Sequence, residues 1–366
     1  MKKIFYFNIV SEKEKGILKK INYQIKSFQK NNCYIKSTHI LNNVFYYENI
    51  PISNYRVGYN IFSKLKNKIE DIILFNKLKR KDLYKNFNYI YVRYLKTDPW
   101  TLSYYNFLKK IGKKIIVEVP TYPYDEEKKN NFFTKLDKKY RVELYKYVDR
   151  IVTYSDDEEI WGIPCINISN GIDLDEVKLI NKIKNKDNKI VFTSVSNCSF
   201  WHGIDRFLYS ILEYRKNNFN NNIIFNIIGE GSETPKLKKI AENNALLKDC
   251  VIFHGFKIGK ELDEIYNQTD IGIGSLGNFR KGILEGGGLK NQEYCAKGLP
   301  FIIAGYDNNY LDVDFMYKVS ADEKLFDISE IIKWYKSLKM SPEEIRKFAE
   351  DNLSWDIQMK KIIENI

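Results

Sequence analysis

Two carboxylates eight positions apart, Glu285 and Glu293, bracket three glycines and a lysine in the stretch LEGGGLKNQEYCAKGLPFIIAG, residues 284–305. Leu289 and Lys290 follow the glycines, and Tyr294, Cys295 and Ala296 continue a helical run. Gly298 ends that run and Pro300 forbids its return. The apolar FIIA that follows has the length and composition of a buried strand. The pattern therefore predicts a glycine loop that opens a helix, and a helix that feeds a strand. Glycines at such a place let backbone N–H groups approach a ligand closely, and a helix N-terminus favours negative charge. Lys290 adds a cation, which completes a cradle for a diphosphate. Carboxylates repel phosphate, so Glu285 and Glu293 are expected to accept hydrogen bonds from hydroxyls. Phosphate and hydroxyls together describe a nucleotide-sugar.

The surrounding elements must hold that cradle. IVFTSVSN (190–197) reads as a strand, followed by a loop and a helix starting near Trp201-His202-Gly203. The segment 222–242 gives a strand, a Gly229-Glu230-Gly231 loop and a helix. CVIFHGF (250–256) is another strand, with Gly255 at a turn, and 261–276 gives a helix and a strand. Strands and helices alternating over short loops predict a parallel sheet. The first half begins the same way: IFYFNIV (4–10), a polar loop holding Gly16, then the helical pattern ILKKINYQIKSFQKN. YIYVRY (89–94), KKIIVEVP (113–120) and DRIVTYS (149–155) are further strands. In open α/β sheets ligands sit beyond the carboxyl ends of strands. Arg93, Glu118, Tyr122, Tyr124 and Asp125 fall at such ends. They either line a reaction centre or form a structural Pro-rich loop with Glu118 paired to a lysine. At 366 residues, two domains of ordinary size are expected.

The Glu-Gly-x-Gly-Leu-x-x-x-Glu stretch with its Ala-x-Gly-x-Pro exit resembles the Glu-x7-Glu signature of family 4 glycosyltransferases, which are retaining and built from two Rossmann domains. Asn-Gly-Ile-Asp at 170–173 matches the turn that ends the first domain in that family, and the Gly229 to Gly231 turn matches its Gly-acid-Gly loop. Arg93-Tyr94, then Glu118 to Glu127, resembles the N-terminal half of a subset of bacterial surface-polysaccharide glycosyltransferases. The resemblance implies a GT-B fold: two Rossmann-like doubly wound parallel-sheet domains, 1–183 for the acceptor and 184–345 for the donor. A C-terminal segment, 346–366, would cross back to the first domain, and the chemistry would lie in the cleft. It implies Glu285 on the sugar hydroxyls and Glu293 on the ribose. Gly229, Gly231, Gly255, Gly287, Gly288 and Leu289 would hold the donor with their backbone, and Gly16, Tyr122, Tyr124 and Asp125 would face the acceptor. Lys290, Glu118 and Arg93 complete the reaction centre. The chain departs from the family where a Gly-Arg and a Lys-Gly usually bind phosphate. Asn197, His202 and Arg206 stand in that region instead. The implied donor is a UDP- or GDP-sugar, without cofactor or metal.

Net charge is +12, carried unevenly. Residues 1–150 hold 32 Lys and Arg against 14 acids, and residues 151–366 hold 27 against 33. An anionic partner for the first half is therefore expected, either nucleic acid or an anionic membrane surface. Tyrosines spread along the whole chain with no RNA- or DNA-binding motif argue against nucleic acid. Residues 60–88 form a lysine-rich amphipathic segment, either a solvated helix face or a helix lying on anionic lipid. Lipid would bring a lipid-linked saccharide acceptor within reach. Five scattered cysteines without a CxxC pair favour a reducing cytoplasm over zinc or disulfides. No 18-residue apolar run offers a membrane span, so a cytoplasmic or peripheral inner-membrane location is expected. The Asp-x-Asp pairs at 173–175 and 312–314 follow no early strand and imply no metal. Two other readings stay open: a sugar-nucleotide epimerase of the same architecture, using Glu118 as acid or base, and a non-catalytic membrane-surface protein.

Overall fold

The computed structural model describes residues 1–55, 61–122, 132–183, 189–217, 223–284 and 288–366. It divides into two compact units. The first joins Met1–Gly171 to Trp355–Ile366, and the second is Ile172–Ser354.

The first unit opens with β1 (Lys3–Phe7), α1 (Lys15–Lys30) and three strands, β2 (Tyr34–Leu41), β3 (Val44–Tyr47) and β4 (Ile50–Asn54). Then come α2 (Ile61–Leu78), β5 (Tyr89–Arg93), α3 (Pro99–Lys110), β6 (Lys114–Val119) and α4 (Phe132–Arg141). Short strands β7 (Arg150–Thr153), β8 (Glu159–Ile160) and β9 (Ile163–Asn167) complete its sheet. The strand order is β4-β3-β2-β1-β5-β6-β7-β9-β8. β1 pairs in parallel with β2 on one side and β5 on the other, so the winding reverses at β1/β5. Side chains that alternate along β1 divide between two cores. Phe5 and Phe7 pack with Phe75, Tyr104 and Leu108, while Ile4 and Tyr6 pack with Ile21, Phe28, Trp355 and Met359. That alternation is the pleat at work, with both faces of a parallel sheet covered.

The second unit contains β10 (Ile190–Val195), α5 (Ile204–Asn217), β11 (Ile223–Ile228), α6 (Thr234–Glu242), α7 (Ala245–Lys248), β12 (Val251–Gly255) and α8 (Gly259–Tyr266). It continues through β13 (Ile271–Ile273), α9 (Leu289–Ala296), β14 (Phe301–Ala304), β15 (Met316–Val319), α10 (Ile328–Ser337) and α11 (Pro342–Asn352). The order β12-β11-β10-β13-β14-β15 is parallel at every pairing, and the winding reverses at β10/β13. The last helix of the chain, α12 (Trp355–Glu364), belongs to the first unit.

The unit boundaries fall at 171/172 and 354/355, where the sequence suggested 183 and 345. The reason is local bonding. Ile172 N–H donates to the Leu353 carbonyl and Ile180 N–H to that of Lys297. The Arg346 guanidinium on α11 donates to the carbonyls of Leu174, Val177 and Ala296. These contacts tie 172–180 and α11 into the second unit. The strands at 34–54 were absent from the sequence reading. They turn at Asn42-Asn43 and Glu48, all three with positive φ. Asparagine tolerates that conformation well.

Candidate functional site

The carboxyl ends of β10 and β13 meet where the second sheet reverses its winding. Leu276 N–H, beyond β13, donates to the His202 carbonyl, beyond β10 (3.0 Å). The loop after β11 lies equally close to the loop after β10. A Cβ at Gly229 would sit 1.9 Å from the Ser196 carbonyl oxygen, and one at Gly231 only 1.6 Å from that of Asn197. Only glycine permits backbones to approach so far, and Gly229 also holds φ of +104°. Gly255 accepts the Gly229 N–H (2.7 Å), which brings the end of β12 to the same edge.

Lys290 enters this edge from the first turn of α9, whose N-cap is Gly288. Its ammonium is buried and has no hydrogen-bond partner among the described residues. Burial pushes its pKa down to about 7, with the nearby Cys198 acting weakly the other way. An unpaired ammonium in such a place is costly unless an anion arrives. His202 shares the edge. Its Nδ1 accepts the Ser199 N–H (3.1 Å), and burial together with Lys290 and Lys281 pushes its pKa to about 3. The ring is therefore neutral, and its one proton rests on Nε2 as a donor. Lys281, which the sequence reading overlooked, stands 4.5 Å over the Trp201 ring. Glu293, one turn beyond Lys290, lies beside the buried Tyr266. Leu289 is largely exposed.

Arg206 does not join this group. Its Nε donates to the Lys324 carbonyl (2.7 Å), and Nη1 donates to the carbonyls of Leu276 (3.1 Å) and Ser320 (2.9 Å). Nη2 donates to Ser320 Oγ (3.0 Å). The expected phosphate ligand is a brace that pins two loops, those after β13 and β15. Asn197 is exposed, with Oδ1 accepting from Ser199 Oγ.

Glu118 in the first unit has no solvent exposure. Arg93 (2.9 Å) and Tyr154 (2.8 Å) donate to Oε1, while Tyr91 (3.1 Å) and Gln24 (3.2 Å) donate to Oε2. The Lys20 ammonium stands 3.7 Å from Oε1 and 3.6 Å from the Tyr154 ring centre. Burial alone would raise the carboxyl; Lys20, Arg93 and the two tyrosines hold it below its ordinary range. Both oxygens are filled, so Glu118 has no lone pair placed to take a proton from a substrate. Glu118 is a paired structural carboxylate, bonded to Arg93 with Lys20 at 3.7 Å, and most of the Pro-rich loop in the alternative read from the sequence lies outside the described residues. Gly16 lies within the first turn of α1 rather than in a loop, with open space around it. Tyr122 packs edge-on against Trp161. Glu285, Gly287, Tyr124 and Asp125 lie outside the described residues.

Residues 175–314, all within the second unit, match the family model "Glycosyl transferases group 1". That stretch of the second unit is similar to the group 1 glycosyltransferases. Comparison of the chain with curated proteins gave no match. Its fold is similar to that of the lipopolysaccharide outer core galactosyltransferase WaaB in its apo form (TM-score 0.58, 15% identity, 100% of each chain covered). It is also similar to sucrose-phosphate synthase from Thermosynechococcus elongatus (TM-score 0.58, 12% identity, 100% of this chain and 98% of that one). A third similar structure is Anabaena HepE in complex with UDP-glucose (TM-score 0.53, 10% identity, 100% of each chain). The two helix-covered sheets, the second parallel throughout and the first parallel apart from antiparallel pairings at β2–β3, β3–β4 and β8–β9, are those of the GT-B fold that the sequence resemblance implied. Among the described residues no helix is long and apolar enough to cross a membrane.

Proposed function

We propose that the second unit binds the diphosphate of a UDP- or GDP-sugar, and that the sugar passes with retention to a saccharide acceptor. The observation that carries this reading is the buried, unpaired ammonium of Lys290 at the N-terminus of α9. As the bond from sugar to diphosphate breaks, negative charge grows on the leaving oxygen. Lys290 meets that charge with its ammonium, His202 with its Nε2–H, and α9 with its first free amides. Donors already aimed at developing charge stabilise the transition state without reorganising. Protein cations take the place of a metal in this scheme. Glu293 binds the ribose hydroxyls. Glu285 keeps the role its signature implies, on the sugar hydroxyls. The lysine excess of residues 1–150 supports a peripheral place on an anionic membrane and a lipid-linked acceptor in surface-polysaccharide synthesis. The filled oxygens of Glu118 speak against that residue as the acid or base of an epimerase.

A thermal-shift panel of UDP, GDP, ADP and CMP on the wild type and Lys290→Met tests the donor site. A ligand at 100 times its dissociation constant adds about 2.7 kcal/mol of stability. One diphosphate nucleotide should shift the wild type and shift the variant by clearly less, about 0.4–1.4 kcal/mol at the same concentration. If none shifts the wild type, the donor reading falls.

A further inference from the structure

We propose that a cavity in the first unit, at the β1/β5 reversal, takes one neutral hexose-sized ring of the acceptor. This rests on the glycosyl-transfer reading above. The cavity encloses about 330 Å³ beyond the carboxyl ends of β1 and β5. Its walls come from Ile9 after β1, from 94–98 after β5, and from α2, α3 and α4. The reversal point of a doubly wound sheet is where a ligand crevice opens, because the chain leaves the two neighbouring strands in opposite directions. In the second unit the same point holds Lys290 and His202. Ligand pockets run from about 300 to 1,000 Å³, so this one suits a single ring better than a long chain.

The lining states what kind of ring. Four of its side chains are charged, Lys68, Lys96, Asp71 and Asp98, and they balance. Lys68 pairs with both carboxylates, that of Asp71 at 3.6 Å. Asp98 is almost fully buried and spends Oδ1 on capping α3 through Thr101 N–H (2.8 Å). Asp71 Oδ1 accepts the Tyr55 hydroxyl (2.5 Å), while Oδ2 keeps lone pairs, because 3.6 Å exceeds a hydrogen bond. A charged ligand would enter without a counter-charge and lose its hydration uncompensated. Hydroxyls suit the place, donating to Asp71 and accepting from Lys68. Phe75, Tyr94 and Phe133 add aromatic surface for the apolar face of a pyranose. The Tyr94 ring is fixed in its place by the hydrogen bond of its hydroxyl to Asp137 (2.7 Å). None of these residues other than Tyr94 was singled out in the sequence. A neutral hexose, with any phosphate or uronate of the acceptor outside the cavity, fits all of these observations.

Saturation-transfer NMR on the full chain tests this, with methyl glucoside, methyl galactoside and methyl glucuronide as probes and UDP affinity measured in parallel. At least one neutral glycoside should receive saturation, and the glucuronide none. Leu136→Trp, which fills the cavity from α4, should abolish the transfer and leave UDP affinity unchanged. Asp71→Asn, which leaves the lining with one positive charge, should admit the glucuronide. Transfer that survives Leu136→Trp unchanged overturns the proposal, as does a wild type that takes no neutral glycoside while binding UDP. Glycoside transfer lost in Leu136→Trp, in a protein that binds no nucleotide, supports the cavity and sinks the donor reading instead.

Discussion

Each unit buries a lysine near the carboxyl edge of its parallel sheet, and the two are held in opposite ways. In the first unit Lys20 lies against Glu118 and the Tyr154 ring, with Asn170 Oδ1 at 3.1 Å. Its pKa falls only to about 8, because Glu118 offsets part of the desolvation. In the second unit Lys290 has burial and almost nothing else, and its pKa falls to about 7. The first arrangement is closed, with one carboxylate shared by two cations and both of its oxygens engaged inside the fold. The second is open, and in the proposed function the diphosphate of the donor supplies the missing anion. A buried titratable group therefore marks a binding site only when its partner is absent from the protein, and otherwise marks a brace. By that criterion Glu118, Arg93 and Arg206 hold the scaffold, and Lys290 is the group proposed to meet a ligand.

The largest expected effect tests the closed side. Glu118→Ala strands Arg93 and Lys20 without their carboxylate, which should cost about 3–5 kcal/mol of stability. Urea unfolding measures it, and nucleotide affinity should not move. A cost below about 1 kcal/mol would mean that water already shares the cluster, and the contrast would collapse. Lys290→Met tests the open side. Losing a charged hydrogen bond to phosphate should weaken nucleotide binding by about 1.5–3 kcal/mol, roughly ten- to a hundredfold. Stability of the free protein should hold or rise, since the variant removes an unpaired charge. A loss of stability matching that of Glu118→Ala would show that Lys290 is a brace as well.

The open side was also the side legible in the sequence. The glycines, Lys290 and Glu293 sit within nine positions, so local spacing already brings them to one helix start. The strands around them follow short-range periodicity, and the alternation of the second unit was readable throughout. The closed side depends on distant partners. Glu118 meets Gln24 from α1, Tyr91 from β5 and Tyr154 beyond β7, residues separated by 94, 27 and 36 positions. Arg206 answers to carbonyls 70, 114 and 118 positions away. No periodicity announces such meetings. Both residues therefore looked like site residues, because a charge near a strand end or loop is all that the sequence displays. The cavity charges were hidden for another reason. Lys68 and Asp71 belong to a helix so rich in lysine that its amphipathic pattern suggested only a surface.

The pH dependence of binding sharpens the contrast at a smaller scale. Free Lys290 titrates near 7, and a bound diphosphate favours its protonated form, so the pKa in the complex is higher than in the free protein. Between those two values binding takes up a proton. Affinity for UDP-glucose, which has no phosphate titrating in this range, should be level below pH 7. Above it the affinity should fall by up to tenfold, about 1.4 kcal/mol, per pH unit. Lys290→Met should give a flat profile. The free protein should respond in the opposite sense. The unfolded chain keeps an ordinary lysine and binds more protons above pH 7, so the stability of the second unit rises with pH there. Calorimetry at pH 6, 7, 8 and 9 reads both trends, and equal affinity at 6 and 9 would remove Lys290 from the diphosphate.

His202 should contribute least, as a neutral donor. A hydrogen bond of that kind is worth about 0.5–1.5 kcal/mol, so His202→Leu should weaken nucleotide binding roughly two- to tenfold. His202→Gln, with an amide N–H near the position of Nε2, should recover part of the loss. The revealing measurement is again the pH profile. An exposed histidine would lend positive charge below pH 6.5 and tighten binding there. Here burial and the neighbouring lysines hold the ring neutral down to a pKa of about 3, so no such tightening is expected between pH 5 and 6.5. An inflection near 6.5 that disappears in His202→Gln would show a second cation at the diphosphate. The second unit would then hold an ion cluster that the ligand closes, and Lys290 would no longer carry the open side alone.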